Sequence, residues 1–174
     1  MKHWKLLLSI FICFLLVGVA LQPLRAEAAD PVTVYLDPAA GSDSADGLSE
    51  ATAVQSYDTA YGKVKTAGGG TIVLLSTLEI TEDLRLPSSA ASVPVVLTSK
   101  TGAEGISATT NVRFNAPTTL ENMTMKLAKA SSSVIIFGEG KKLTIGENIT
   151  SVGTDATISA LPAASAGQAA PLRI

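Results

Sequence analysis

The chain has 174 residues, 13 basic and 15 acidic side chains, a formal net charge of −2, and one histidine, one tryptophan and one cysteine. These three, His3, Trp4 and Cys13, all lie in the leader, so the body that follows has no disulfide, no Cys or His nucleophile, no Ser-His-Asp triad and no zinc site of the usual nitrogen and sulfur kind. The leader also holds Lys2, Lys5, Arg25 and Glu27, which leaves 10 basic against 14 acidic residues and a net charge of −4, a poor balance for a nucleic-acid partner.

The leader itself has a basic head, an apolar run from Leu6 to Leu21 and a small-residue exit, Ala26-Glu27-Ala28. This is the pattern of a secretory signal peptide over residues 1–28, with cleavage expected after Ala28. A retained anchor is the competing reading, but the apolar run is shorter than the ~20 residues a bilayer core needs. Cys13 follows Phe11 and Ile12 rather than small residues, which argues against lipid attachment. The expected location is therefore secreted or extracellular at the cell surface, with no membrane partner after cleavage.

Residues 29–70 read as a strand, a loop and a helix. Val32 to Leu36 (VTVYL) is rich in β-branched residues and predicts a strand that stops at Asp37-Pro38. Ala39 to Ser49 is dense in Gly, Ser and Asp, which bond their own backbone in turns. Within it, Asp43 and Asp46 are candidate calcium ligands; the alternative is a plain Asx turn, because the spacing is not that of a helix-loop-helix calcium loop. Tyr57, Ala60, Tyr61 and Val64 then fall on one helical face between Ser56, a suitable N-cap, and Gly68-Gly69-Gly70. Asp58 in the first turn and Lys63 and Lys65 in the last suit the helix dipole. A short helix so placed predicts a cap over the open end of stacked strands.

Residues 71–153 are short apolar runs separated by turn residues: TIVLL, LEI at 78–80, LRL at 84–86, VPVVL at 93–97, VRF at 112–114, LENMTMKL at 120–127, VIIF at 134–137 and LTI at 143–145. Counting from Leu74 in steps of about 23 reaches Leu97, Leu120 and Leu143, and the residues before them are Val73, Val96, Thr119 and Lys142. The same step pairs Val112 with Ile135 and Phe114 with Phe137. The spacing predicts an all-β chain built as a parallel solenoid of about 23 residues per coil, with two or three short strands per coil. An antiparallel sandwich also reads as many short strands and is the alternative. The body has only five aromatics, Tyr35, Tyr57, Tyr61, Phe114 and Phe137, which suits layers that repeat one another's shape. Residues 154–174 turn Ala-rich with Pro162 and Pro171, which predicts a flexible linker or the front piece of a longer protein.

These residues carry a resemblance. Val34-Tyr35-Leu36-Asp37, Gly41-Ser42-Asp43 with Asp46-Gly47, the helix containing Ala60, Gly69-Gly70-Thr71-Ile72-Val73-Leu74, Pro117-Thr118-Thr119-Leu120-Glu121-Asn122 and Lys142-Leu143-Thr144-Ile145-Gly146 together resemble the N-terminal region of secreted bacterial right-handed parallel β-helix proteins of the pectin-lyase-like superfamily. The resemblance spans about residues 32–150. It implies a right-handed parallel β-helix with a short N-terminal capping helix, and a superfamily that mixes polysaccharide lyases, hydrolases, adhesins and cell-surface proteins without assigned activity. It carries over no catalytic residue.

Glu121, Lys126, Lys129, Lys141 and Lys142 are expected to point outward as a solvated face, with no carboxylate pair at matching positions for acid-base work. Asn122-Met123-Thr124 and Asn148-Ile149-Thr150 fit the glycosylation sequon, which matters only in a eukaryotic secretory route. The function read from all this is a non-catalytic scaffold or a module that binds polysaccharide or a cell-wall surface, with no cofactor unless calcium binds at Asp43 and Asp46. One alternative is the N-terminal part of a polysaccharide lyase or glycoside hydrolase whose catalytic coils are missing. Another is a calcium-stabilised adhesive module.

Overall fold

The computed structural model describes residues 31–127, 133–136, 141–152, 157–160 and 172–173. The leader, Lys129, Phe137 and most of 154–174 lie outside the described residues. The described chain is mostly strand in parallel sheets with a single α-helix. It begins with β1 (Val32–Leu36), a 3-10 turn (Glu50–Thr52) and α1 (Tyr57–Thr66). Then follow β2 (Gly70–Leu74), β3 (Leu78–Ile80), β4 (Leu84–Leu86), β5 (Val95–Ser99), β6 (Gly105–Ala108) and β7 (Val112–Phe114). The remaining strands are β8 (Thr118–Glu121), β9 (Met123–Leu127), β10 (Ser133–Ile136), β11 (Leu143–Ile145), β12 (Ile149–Val152), β13 (Thr157–Ala160) and β14 (Leu172–Arg173). No described helix is long and apolar enough to cross a membrane.

From β2 to β13 successive strands are dealt in rotation to three sheets: sheet A (β1-β2-β5-β8-β11), sheet B (β3-β6-β9-β12) and sheet C (β4-β7-β10-β13, with β14 beside β13). Parallel neighbours need a connection of a dozen residues or more, and here two other strands supply it. All described pairings are parallel except that of β13 with β14, which overturns the antiparallel sandwich. Sheet C continues into the segment read as an Ala- and Pro-rich tail, since Thr157–Ala160 pairs with Ser133–Ile136.

The inward positions form the core. In sheet A, Val34, Ile72, Leu97 and Leu120 stand one above another and are all fully buried, and Ile145 follows in the same register but is 42 % exposed. Sheet B contributes Leu78, Ile106 and Met125, and sheet C contributes Leu86 and Phe114. This corrects the single leucine column. Leu74 stands opposite Ser99 and not Leu97, and Leu120 opposite Ile145 and not Leu143, because the offsets in sheet A are 25, 23 and 25 residues. An error of two keeps a residue on its face, so these leucines were still placed inward. In sheet C the offset between β7 and β10 is 22, so Val112 pairs with Val134 and Phe114 with Ile136. There the assumed step of 23, which paired Val112 with Ile135, is one too long: Ile135 stands opposite Arg113 instead, and a slip of one exchanges the two faces of a strand.

The helix has the residues expected of it. The Thr59 amide donates to the Ser56 hydroxyl at 3.2 Å, and Tyr57, Ala60, Tyr61 and Val64 are the buried face. It packs against β1 and β2. Tyr57 and Tyr61 stack with ring centroids 6.3 Å apart, and the Tyr61 hydroxyl donates to the Val93 carbonyl at 2.8 Å. The loop after β1 runs beside the free edge of that strand. Tyr35 donates its amide to Gly47 at 2.8 Å and Val54 donates its amide to Tyr35 at 3.0 Å, so this edge is occupied by the chain's own backbone.

Candidate functional site: the outer face of sheet A

The predicted calcium ligands are both present in the loop, each occupied by backbone amides. One Asp43 carboxylate oxygen accepts from Ser56 at 2.7 Å and Gln55 at 3.0 Å, which ties the loop to the start of α1. Burial raises the Asp43 pKa, but these amides and the Ser56 and Thr59 hydroxyls outweigh it and hold the group below the usual carboxylate range. Asp46 accepts from the Leu48 amide at 2.9 Å, an Asx turn, and the Thr52 side chain and that amide lower its pKa. Among the described residues no group of three or more His, Cys, Asp or Glu could hold a metal ion.

The expected outward charges do not converge. Glu121, Lys126 and Lys142 are exposed, and Lys141 is half-buried with its ammonium donating to the Ala91 carbonyl. In sheet C, Arg113 pairs with Asp83 at 2.6 Å, and Asp83 also accepts from the Thr110 hydroxyl at 3.0 Å. Neither cluster offers two facing carboxylates.

Sheet A shows something different. The residues that alternate with its buried column point outward, and the pairing stacks Thr33, Thr71, Val96, Thr119 and Thr144 in one row across five strands. Adjacent strands lie ~4.8 Å apart, so the row presents a β-branched side chain at that interval. Two positions along, a second row runs Tyr35, Val73, Thr98 and Glu121. Tyr35 is the one aromatic among the described residues that is not buried.

Beside the first row lies a groove of about 400 Å³ lined by Pro31, Gly68–Gly70, Thr71, Pro94, Val95, Val96 and Thr119. Its glycine wall follows from how the helix ends. Gly68, at φ +79°, turns the chain out of α1, and a Cβ on Gly70 would lie 2.1 Å from the Val32 carbonyl oxygen, so β2 can pair with β1 here only as glycine. None of the described lining residues is charged. Backbone, hydroxyls and proline and valine faces are what such a surface offers a ligand.

Sequence reading missed this face because of the register. In steps of 23 the row before the leucines was Val73, Val96, Thr119 and Lys142; the true offsets replace its ends with Thr71 and Thr144 and remove the lysine. A usable signal was present. Glu121-Asn122-Met123-Thr124 and Glu147-Asn148-Ile149-Thr150 repeat at an offset of 26, and their second halves, Met123-Thr124 and Ile149-Thr150, pair in that register in sheet B. Both asparagines take positive φ, 43° and 56°, at the turn from sheet A to sheet B. No protein-family model, curated protein or solved structure matches the chain.

Proposed function

We propose that this chain is a secreted or cell-surface right-handed parallel β-helix segment, in which sheets A, B and C are the three walls of each coil. The rotation of strands among three parallel sheets and the capping helix support that architecture. A crystal structure in which the three sheets wound in the left-handed sense would reject it.

Within this architecture the outer face of sheet A is a non-catalytic surface that binds polysaccharide. The observation that carries this reading is the uncharged row Thr33, Thr71, Val96, Thr119 and Thr144 beside the groove of about 400 Å³. A shallow, largely apolar site with a few placed polar groups fits a sugar, whose ring has apolar faces and a hydroxylated edge. Tyr35 on the same face adds a stacking surface. Co-sedimentation of the full chain with insoluble plant and microbial polysaccharides tests the reading. Val96→Glu, in the middle of the row, is expected to abolish pelleting while the melting temperature stays within a few degrees. Equal pelleting of the variant and the parent chain would remove sheet A as the site.

A further inference from the structure

The reading above leaves the class of polysaccharide open, and the charge pattern on sheet A narrows it. We infer that the ligand is an uncharged glycan chain lying along the threonine row, across the strands, and not an acidic uronate or sulfated polymer. This inference rests on the polysaccharide-binding reading of the same face.

Its basis is the absence of charge among the nine described lining residues together with where the nearest described charges stand. Lys142 lies two positions before Thr144 and Glu121 two positions after Thr119, so the far end of the row is flanked by one charge of each sign. Lys100, beyond the second row, is paired with Glu50 at 2.5 Å. A polyanion laid along the row would meet no cluster of cations and would pass an acid. Recognition of carboxylate or sulfate groups usually relies on Arg or Lys. Here the basic residues of matching register, Arg85 and Arg113, stand on sheet C instead, where Asp83 engages Arg113.

The direction follows from spacing. Along a strand, side chains on one face recur every two residues and only two or three fit on these short strands. Across the strands the row continues over all five with a side chain every ~4.8 Å. That interval is close to the rise of one ring in an extended 1,4-linked pyranose chain. Each threonine hydroxyl can then meet a successive sugar, with Val96, Pro31 and Pro94 against the ring faces. The glycine wall lets the chain approach the backbone closely, since a Cβ at Gly68 would project into open space and one at Gly69 would stand 3.6 Å from the Pro94 carbonyl oxygen.

Affinity electrophoresis of the full chain in gels containing hydroxyethylcellulose, a neutral glucan, or polygalacturonate tests the inference. Retardation by the neutral glucan that is unchanged by salt is expected. Thr71→Val and Thr119→Val keep the β-branched shape and are each expected to weaken that retardation by about 3- to 10-fold, the loss of one hydrogen bond. Retardation by polygalacturonate alone, fading as salt is raised, would overturn the inference and leave the polysaccharide-binding reading standing. Retardation by neither polymer would overturn both. If the valine variants bound as tightly as the parent chain, the threonine row would be excluded as the contact.

Discussion

The N-terminal segment, the proposed cap, and the strands that follow it solve the same problem by different means. Both must satisfy backbone amides and carbonyls while covering apolar surface. In the cap, residues 31–69, polar side chains do much of this work. Asp37 accepts from the Ala39 and Ala40 amides and from the Ser76 hydroxyl, Asp43 accepts from Gln55 and Ser56, and Ser56 caps α1. In the strands that follow, backbone pairs with backbone and the side chains are left to fill the interior. The cap therefore depends on ionised groups at particular positions. The strands depend on volume and register.

The sharpest break in that contrast comes from the interior. Phe114 is the largest fully buried side chain among the described residues, and its strand position pairs with Leu86 on one side and Ile136 on the other. Phe114→Ala is expected to cost about 3–5 kcal/mol, read as a lowered midpoint in urea unfolding. A loss below about 1 kcal/mol would mean that the column is not the packed core it is taken to be.

A smaller effect is expected at the turn between sheets A and B. Asn122 sits at φ 43°, and its side-chain amide donates to the Ser99 carbonyl at 3.1 Å while the Ser99 hydroxyl donates to the Asn122 carbonyl at 2.7 Å. Asn122→Ala removes a hydrogen bond and places a Cβ residue of poor left-handed propensity there, about 1–3 kcal/mol together. Asn122→Gly retains the backbone freedom and should cost less than Asn122→Ala in the same unfolding assay. Equal losses in the two variants would show that the side-chain bond, which both remove, and not the backbone conformation dominates this turn.

The same contrast explains what was legible beforehand. The helix was read almost residue by residue, because an N-cap serine, an apolar stripe at helical spacing and a triple glycine are local signals whose physics acts within one or two turns of chain. The strands were read in kind and misread in register, because pairing is fixed by partners about 19 to 28 residues away and the loops between them vary in length. β6 escaped notice since Gly105-Ile106-Ser107-Ala108 has a single β-branched residue; its place is set by Met125 and Leu127 opposite. LENMTMKL looked like one run and is two strands, split where Asn122 turns the chain. The threonine row depended on that register and was hidden with it.

The smallest expected effect is one that separates the two regions by pH. The pKa of Asp37 is held down first by the Ser76 hydroxyl and then by the Ala40 and Ala39 amides against burial, and that of Asp43 by the amides and hydroxyls at the start of α1. A carboxylate with a lowered native pKa stabilises the fold fully above its unfolded value, near 3.9, and loses that contribution as pH falls through the native value. Stability of the cap should thus be constant from neutral pH to about 5 and decline below about 4. Hydrogen exchange, corrected for the intrinsic rate at each pH, is expected to show the Gln55 and Ser56 amides losing protection in this window while those of Leu97 and Leu120, bonded strand to strand, keep theirs. Asp43→Asn should show weaker protection at Gln55 and Ser56 already at neutral pH and a shallower loss on acidification, because the titrating acceptor is gone. If both sets of amides opened together in the parent chain, cap and strands would form one cooperative unit, and the distinction between polar and apolar means of support would be one of chemistry without separate stability.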